Sequence, residues 1–132
     1  GRDRGLTSAP TSALKAAAKG EPFAMPYQGR EHYHFVEDVG AGFALSAIAE
    51  FSGYDAFNLR GRSLETADFL GFAAEVSSEL GLAVAPLTIA ADAATMPFVC
   101  DLDETKICSA FPEMPRTEIR DGIRRSLERF RD

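Results

Sequence analysis

Two histidines separated by one residue, His32 and His34, are the first pair in this sequence with the types and spacing for chemistry. On a β-strand, residues two apart project from the same face. The two imidazoles could therefore grip one metal ion, with Glu37 or Asp38 as a third ligand. The chain has no further histidine, and a helical pattern follows at once. We expect these histidines to satisfy neighbours or face a ligand site, with no metal bound. Gly40-Ala-Gly42 raises a second possibility, because a dinucleotide loop needs G-x-G-x-x-G after a strand and seats the pyrophosphate on the next helix N-terminus. Here the third glycine is Leu45, and Glu37 and Asp38 place negative charge where the phosphates would sit. Arg60 lies where an arginine could meet a 2′-phosphate. The glycines read better as small residues that let a helix pack closely on a sheet.

Other reactive types are sparse. Cys100 and Cys108 form no C-x-x-C pattern and have no acid–base partner in sequence reach, so they read as small packing residues. The arginines at 120, 124, 125, 129 and 131 alternate with Glu118, Asp121 and Glu128, the pattern of a solvated helix face.

The elements that must position these residues follow from periodicity. Residues 12–19 predict a short helix closed by Gly20. Residues 20–30, with Pro22, Pro26 and Gly29, predict a loop, and 32–36 predict a strand. Asp38 is expected to cap a helix whose apolar residues are Val39, Phe43, Ala47, Ile48 and Phe51, broken at Ser52-Gly53. A short, buried strand is expected over 56–59. Ser63 is then expected to cap a helix with Phe69, Phe72, Ala73, Val76 and Leu80 buried, ended by Gly81. Residues 82–90 predict a third strand, bent or at an edge because of Pro86, and 96–100 a further extended segment. Asp103 opens a turn or short helix, and Thr117 caps a last helix with Ile119, Ile123, Leu127 and Phe130 on one face. Strands alternating with helices predict an α/β, or mixed α+β, unit.

Bulk properties narrow the class. At 132 residues, with 45% apolar and 26% charged residues, the chain suits a single domain or sub-domain with a packed core. A net charge of −6 argues against nucleic acid as the main partner. No apolar run approaches membrane-spanning length. With no signal-peptide pattern at the N-terminus and no disulfide framework, a cytoplasmic location is expected.

Four segments together resemble the C-terminal, substrate-binding half of the extended short-chain dehydrogenase/reductases, the NAD(P)-dependent epimerases and dehydratases. His34-Phe35-Val36-Glu37-Asp38-Val39 is similar to that family's aromatic-V-(D/E)-D-(V/L) strand-to-helix junction. Ala56-Phe57-Asn58-Leu59-Arg60-Gly61 resembles its (Y/F)-N-(V/L)-x-G strand, and the stretch from Ser63 resembles the (S/T)-x-x-E helix that follows. Asp103-Glu104-Thr105-Lys106 matches D-x-(S/T)-K. Phe111-Pro112-x-x-Pro115 and Ile119-x-x-Gly122-Ile123 then resemble the family's closing turn and helix. The order and spacing span essentially the whole chain.

The resemblance implies a substrate-binding portion of a Rossmann-type enzyme without its cofactor-binding portion, acting on a sugar nucleotide or another hydroxyl or carbonyl compound. It implies Arg30 as the contact to an anionic part of the substrate, with His32, His34 and Tyr27 completing the expected substrate-binding set. Arg30 lies one residue further from Asp38 than the family pattern places it, and a second family arginine has no counterpart, since Ala90 and Ala91 precede Asp92. The family's Y-x-x-x-K pair is missing, because Tyr27, Tyr33 and Tyr54 are followed four residues on by Glu31, Glu37 and Asn58. No catalytic, cofactor-binding or metal-binding residue is therefore expected in this chain. NAD or NADP would belong to a complete enzyme, which adds the N-terminal Rossmann portion and could form a homodimer. A non-catalytic binding or interaction module on the same half-fold is the alternative.

Overall fold

The computed structural model describes residues 5–50 and 53–131. After a short 3₁₀ turn, helix α1 runs Ala9–Lys19. It begins earlier than residue 12 because Pro10 falls in its first turn, where a missing N–H costs nothing. Gly20 closes it as expected, with φ 67° and its N–H on the carbonyls of Ala16 and Ala17.

The expected loop over 20–30 is instead largely strand. β1, Phe23–Gln28, pairs in parallel with β4, Leu87–Thr95. The register shifts between Met25 and Tyr27, beside Pro26, so the proline falls at an irregularity of the ladder. Met25 and Tyr27 point into the core, while Ala24, Pro26 and Gln28 are exposed, the alternation of a half-buried strand. β4 starts at Leu87 and not at 82, with the Pro86 carbonyl accepting the Phe23 N–H at 3.0 Å.

β2, Arg30–Tyr33, pairs antiparallel with β3, Arg62–Glu65. The strand expected over 32–36 thus starts earlier and stops at Tyr33. Helix α2, Val36–Ile48, has Phe35 at its N-cap position, so Asp38 lies inside the first turn and is buried. Asp38 is still well placed, since acids in a first turn complement the helix dipole. Phe51 and Ser52, expected to end this helix, lie outside the described residues, as does the start of the chain at 1–4.

Residues 56–59 form no strand; pairing begins only at β3, which contains Ser63. The N-cap position of α3, Thr66–Glu79, is therefore Glu65 and not Ser63. Phe69, Leu70, Ala73 and Val76 are buried along α3, with Phe72 and Leu80 packed at the margin, and Gly81 follows with φ 68°. Residues 96–100 hold no regular element, though the Met96 N–H reaches the Gln28 carbonyl at 2.8 Å. α4 covers Thr105–Ala110 and α5 covers Ile119–Arg131.

The core joins α1, β1, α3 and α5 through Leu14, Met25, Tyr27, Phe69, Ile123 and Leu127, among others. On the outer face of α5, Arg120 and Arg124 pair with Glu75 and Glu79 of α3, and Arg125 with Glu37. These exposed pairs fit the solvated face expected of this helix and add little stability. The architecture is mixed α/β with a small parallel sheet. Among the described residues, no helix is long and apolar enough to cross a membrane.

Candidate functional site

The β2–β3 register sets His32 opposite Ser63, and His32 Nδ1 lies 2.8 Å from the Ser63 hydroxyl. That hydroxyl also accepts the Asp101 N–H at 2.8 Å, so the loop after β4 is fastened onto the two strands. Asp101 holds a left-handed φ of 50°, a conformation that aspartate tolerates better than most residues. Its carboxylate takes both donors of the Arg30 guanidinium, at 2.9 and 2.8 Å. The hydrogen bonds from Arg30 hold the Asp101 carboxyl down at about 2, and the same pairing raises the Arg30 guanidinium further above its ordinary value. Neither Glu31 nor Glu37 neutralises Arg30; a residue 71 positions along the chain does.

His32 Nε2 is buried without a hydrogen-bond partner and lies 3.9 Å from Glu104 Oε1. Glu104, at the N-terminus of α4, accepts the Gly61 N–H at 2.9 Å. Its other oxygen stands 3.5 Å from Arg116 Nε and 4.0 Å from Arg60 Nε. Each arginine also holds a carbonyl: Arg116 that of Gly61 at 2.9 Å, Arg60 that of Met114 at 2.6 Å. One mostly buried carboxylate thus gathers an imidazole, two guanidiniums and a backbone amide from distant parts of the chain.

His34 follows the end of β2 and meets His32 edge to face, with ring centroids 4.9 Å apart. Burial, then the neighbouring His32, pushes the His34 imidazole below its ordinary value; a hydrogen bond with the Leu59 backbone and the Glu104 charge partly offset this. His34 therefore stays neutral to lower pH than a free imidazole. Among the described residues, no group of three His, Cys, Asp or Glu side chains is placed to hold a metal ion.

Tyr27 takes a different position from the other expected site residues. It is fully buried in the core, and its hydroxyl donates to Glu31 Oε2 at 2.9 Å. Burial, then the Glu31 charge, raises the phenol above its ordinary value. Within this chain Tyr27 presents no surface to a ligand. Tyr33, not singled out by the sequence, stacks flat on Phe69 with centroids 4.7 Å apart. Both border a pocket of about 170 Å³ between α1, the end of β2 and α5. Its walls are largely apolar, and His34, Arg62 and Arg116 supply the basic groups. Of the four expected substrate-binding residues, His34 alone lines it.

Comparison with protein-family models gives no match, and neither does comparison with curated proteins or with solved structures. The geometry therefore carries the argument. Arg30, His32 and His34 are brought together around Ser63, Asp101 and Glu104, and Tyr27 is not. Glu104 and Arg116 were not legible as site residues, since only the folded chain brings them to His32. The one local signal was that Glu104 sits inside the D-x-(S/T)-K stretch.

The segments that carry the family resemblance are also the ones bonded to each other. Asp38 accepts the Thr117 N–H at 2.6 Å and its hydroxyl at 2.7 Å, which joins the start of α2 to the entry of α5. Asn58 donates to the Asp103 carbonyl at 3.0 Å, and Lys106 pairs with Asp55. Asn58 is exposed, not buried as expected of the strand over 56–59.

Proposed function

We propose that the chain is the substrate-binding portion of an NAD(P)-dependent epimerase- or dehydratase-like oxidoreductase, acting on a sugar nucleotide or another hydroxyl or carbonyl compound. The supporting observation is the convergence of the resembling segments. The junction at 34–39, the Asn58–Gly61 stretch, the Asp103–Lys106 stretch and the approach to α5 meet through Asp38–Thr117, Asn58–Asp103, Gly61–Glu104 and Arg116–Gly61. Residues spaced as one motif set, and then bonded to each other across the fold, are what a shared site scaffold requires.

In this reading Arg30 anchors an anionic substrate group. Its fork of donors suits a phosphate or carboxylate, and Asp101 holds that fork in place until a ligand competes for it. His34 and the basic wall of the neighbouring pocket supply further polar contacts. Hydride chemistry belongs to the nicotinamide and to acid–base groups of the N-terminal portion.

In the full-length gene product, Arg30→Ala should raise KM about tenfold with a smaller loss of kcat, the mark of uniform binding removed. Arg30→Lys should recover only part of this, because a point charge cannot replace the fork. Unchanged kinetics in both variants would move the anion site elsewhere.

The 132-residue chain alone should bind neither NAD(H) nor NADP(H) measurably in calorimetry. A micromolar dissociation constant there would overturn the division of labour proposed here. A full-length product that binds a small molecule at Arg30 but no nicotinamide cofactor would favour the non-catalytic module.

A further inference from the structure

The pocket of about 170 Å³ between α1, the end of β2 and α5 has a floor and a rim of different chemistry. Leu14, Phe69 and Ile123, only 7%, 4% and 2% exposed, line it from the core side. Phe35 and Phe130 add aromatic walls. Gly122 lets the Phe35 ring lie against α5, where a Cβ would stand 3.3 Å from it. The Arg125 guanidinium sits over the same ring, 4.6 Å from its centroid, so that wall is held in place. An apolar cavity of about 150 Å³ with such a lining stays dry and takes up one benzene. The interior is therefore the size of a single six-membered ring.

The rim is polar and has a donor to spare. Arg62 gives a terminal nitrogen to Glu118, but its Nε–H is buried with no acceptor among the described residues. A buried donor left empty costs stability, which an incoming acceptor would restore. The acids nearby are otherwise engaged or displaceable. Asp38 lines the pocket, yet both its oxygens are taken by Thr117. Glu104 is shared by Arg60 and Arg116, so one carboxylate faces two guanidiniums. Glu118 is mostly exposed, and water can take its place on Arg62 at little cost.

We infer that this pocket binds a small aromatic carboxylate, its ring among Leu14, Phe35, Phe69 and Ile123 and its carboxylate on Arg62 and Arg116. The ligand supplies the acceptor that the Arg62 Nε–H lacks and takes the place of Glu118 on that side chain. A bare phosphate suits the rim but leaves the floor empty. A neutral ring fills the floor and leaves the Nε–H unmet, and a long acyl chain is too large for 170 Å³. The proposed function drew only on the basic groups of this rim. The inference adds what fills the interior, and it rests on that reading only for calling the ligand a substrate.

Benzoate titrated into the protein, and followed at the Ile123 methyl signals, should saturate with a dissociation constant on the order of 0.1–1 mM. Ser126 lines the pocket from α5, and Ser126→Leu should abolish saturation while the melting temperature holds or rises, because leucine fills the space. Arg62→Gln should weaken benzoate about tenfold. Glu118→Gln should tighten it about threefold, since a competing carboxylate is gone. Benzamide, the neutral isostere, should bind about tenfold more weakly than benzoate. No saturation at Ile123 overturns the pocket, and benzamide binding as tightly as benzoate overturns the role of the rim. Benzoate binding untouched by Ser126→Leu places the ligand elsewhere. If Ser126→Leu fails to fold, the opposite signs at Arg62 and Glu118 decide, and shifts in one direction at both overturn the inference. NADPH binding by the full-length gene product is scored separately. Benzoate saturation without cofactor binding keeps the pocket and loses the oxidoreductase reading, and cofactor binding without benzoate saturation does the reverse.

Discussion

Asp38→Ala should lower stability by about 3 kcal/mol, seen as a melting temperature lower by roughly 10 °C. The carboxylate is buried, and it alone receives the Thr117 N–H and hydroxyl, at 2.6 and 2.7 Å. Alanine would leave both donors without an acceptor at the entry to α5, and the exposed Arg125–Glu37 pair would remain as a weaker tie to the start of α2. Two charge-assisted hydrogen bonds lost in a buried setting account for the size of the effect. Asp38→Asn keeps one carbonyl oxygen and an amide that can turn to the hydroxyl, so it should recover about half of the loss. If Asp38→Ala melted like the parent, the tie between α2 and α5 would carry no energy.

Gly61→Ala should cost about 2–3 kcal/mol in denaturant unfolding. A Cβ there would stand 2.6 Å from His32 Nε2 and 2.6 Å from the Tyr33 carbonyl oxygen. The carbonyl belongs to the end of β2, and Ser63 holds the other ring nitrogen of His32, so neither neighbour can retreat freely. Gly40→Ala in the 132-residue chain is the control of opposite sign. Open space surrounds it in the helix interior, so it should gain roughly 0.5–1 kcal/mol from helix propensity. A loss at Gly40 equal to that at Gly61 would show that helix or strand preference, and not the crowding around His32, sets the cost.

These two glycines also show what was legible beforehand. Helices α3 and α5 could be read because their apolar stripes are long and end at recognisable signals, Gly81 for α3 and the mixed-charge outer face for α5. β1 was hidden because Pro22, Pro26 and Gly29 read as loop residues. The alternation of Phe23, Met25 and Tyr27 won because β4 was there to pair with, and a pairing partner 60 or more residues away leaves no local trace. Ser63 looked like a cap because serine before a helical pattern usually is one. In the fold its hydroxyl is claimed by His32 and by Asp101, contacts that only the β2–β3 register creates. The site divides in the same way. Arg30, His32 and His34 stood out by residue type and neighbourhood, whereas Glu104 acquires its place from Gly61, Arg60 and Arg116. Tyr27 was counted in the expected site, but strand alternation turns it inward.

The pairing of β1 with β4, and of α1 with α5, bears on how the molecule is made. α1 has its core partners on α3 and on α5, the last helix, and β1 gains its ladder only from residues 87–95. Until those later elements have been made, Leu14, Met25 and Tyr27 have only the local packing of α1 on β1 to cover them within this chain. Closing such long loops delays folding, because their entropy is lost before the contacts form. The apolar surface of α1 and β1 therefore stays partly exposed until the segment through Leu127 can pack on it. Truncating the 132-residue chain before Ile119, which removes α5, should yield aggregates in place of a shortened, folded protein.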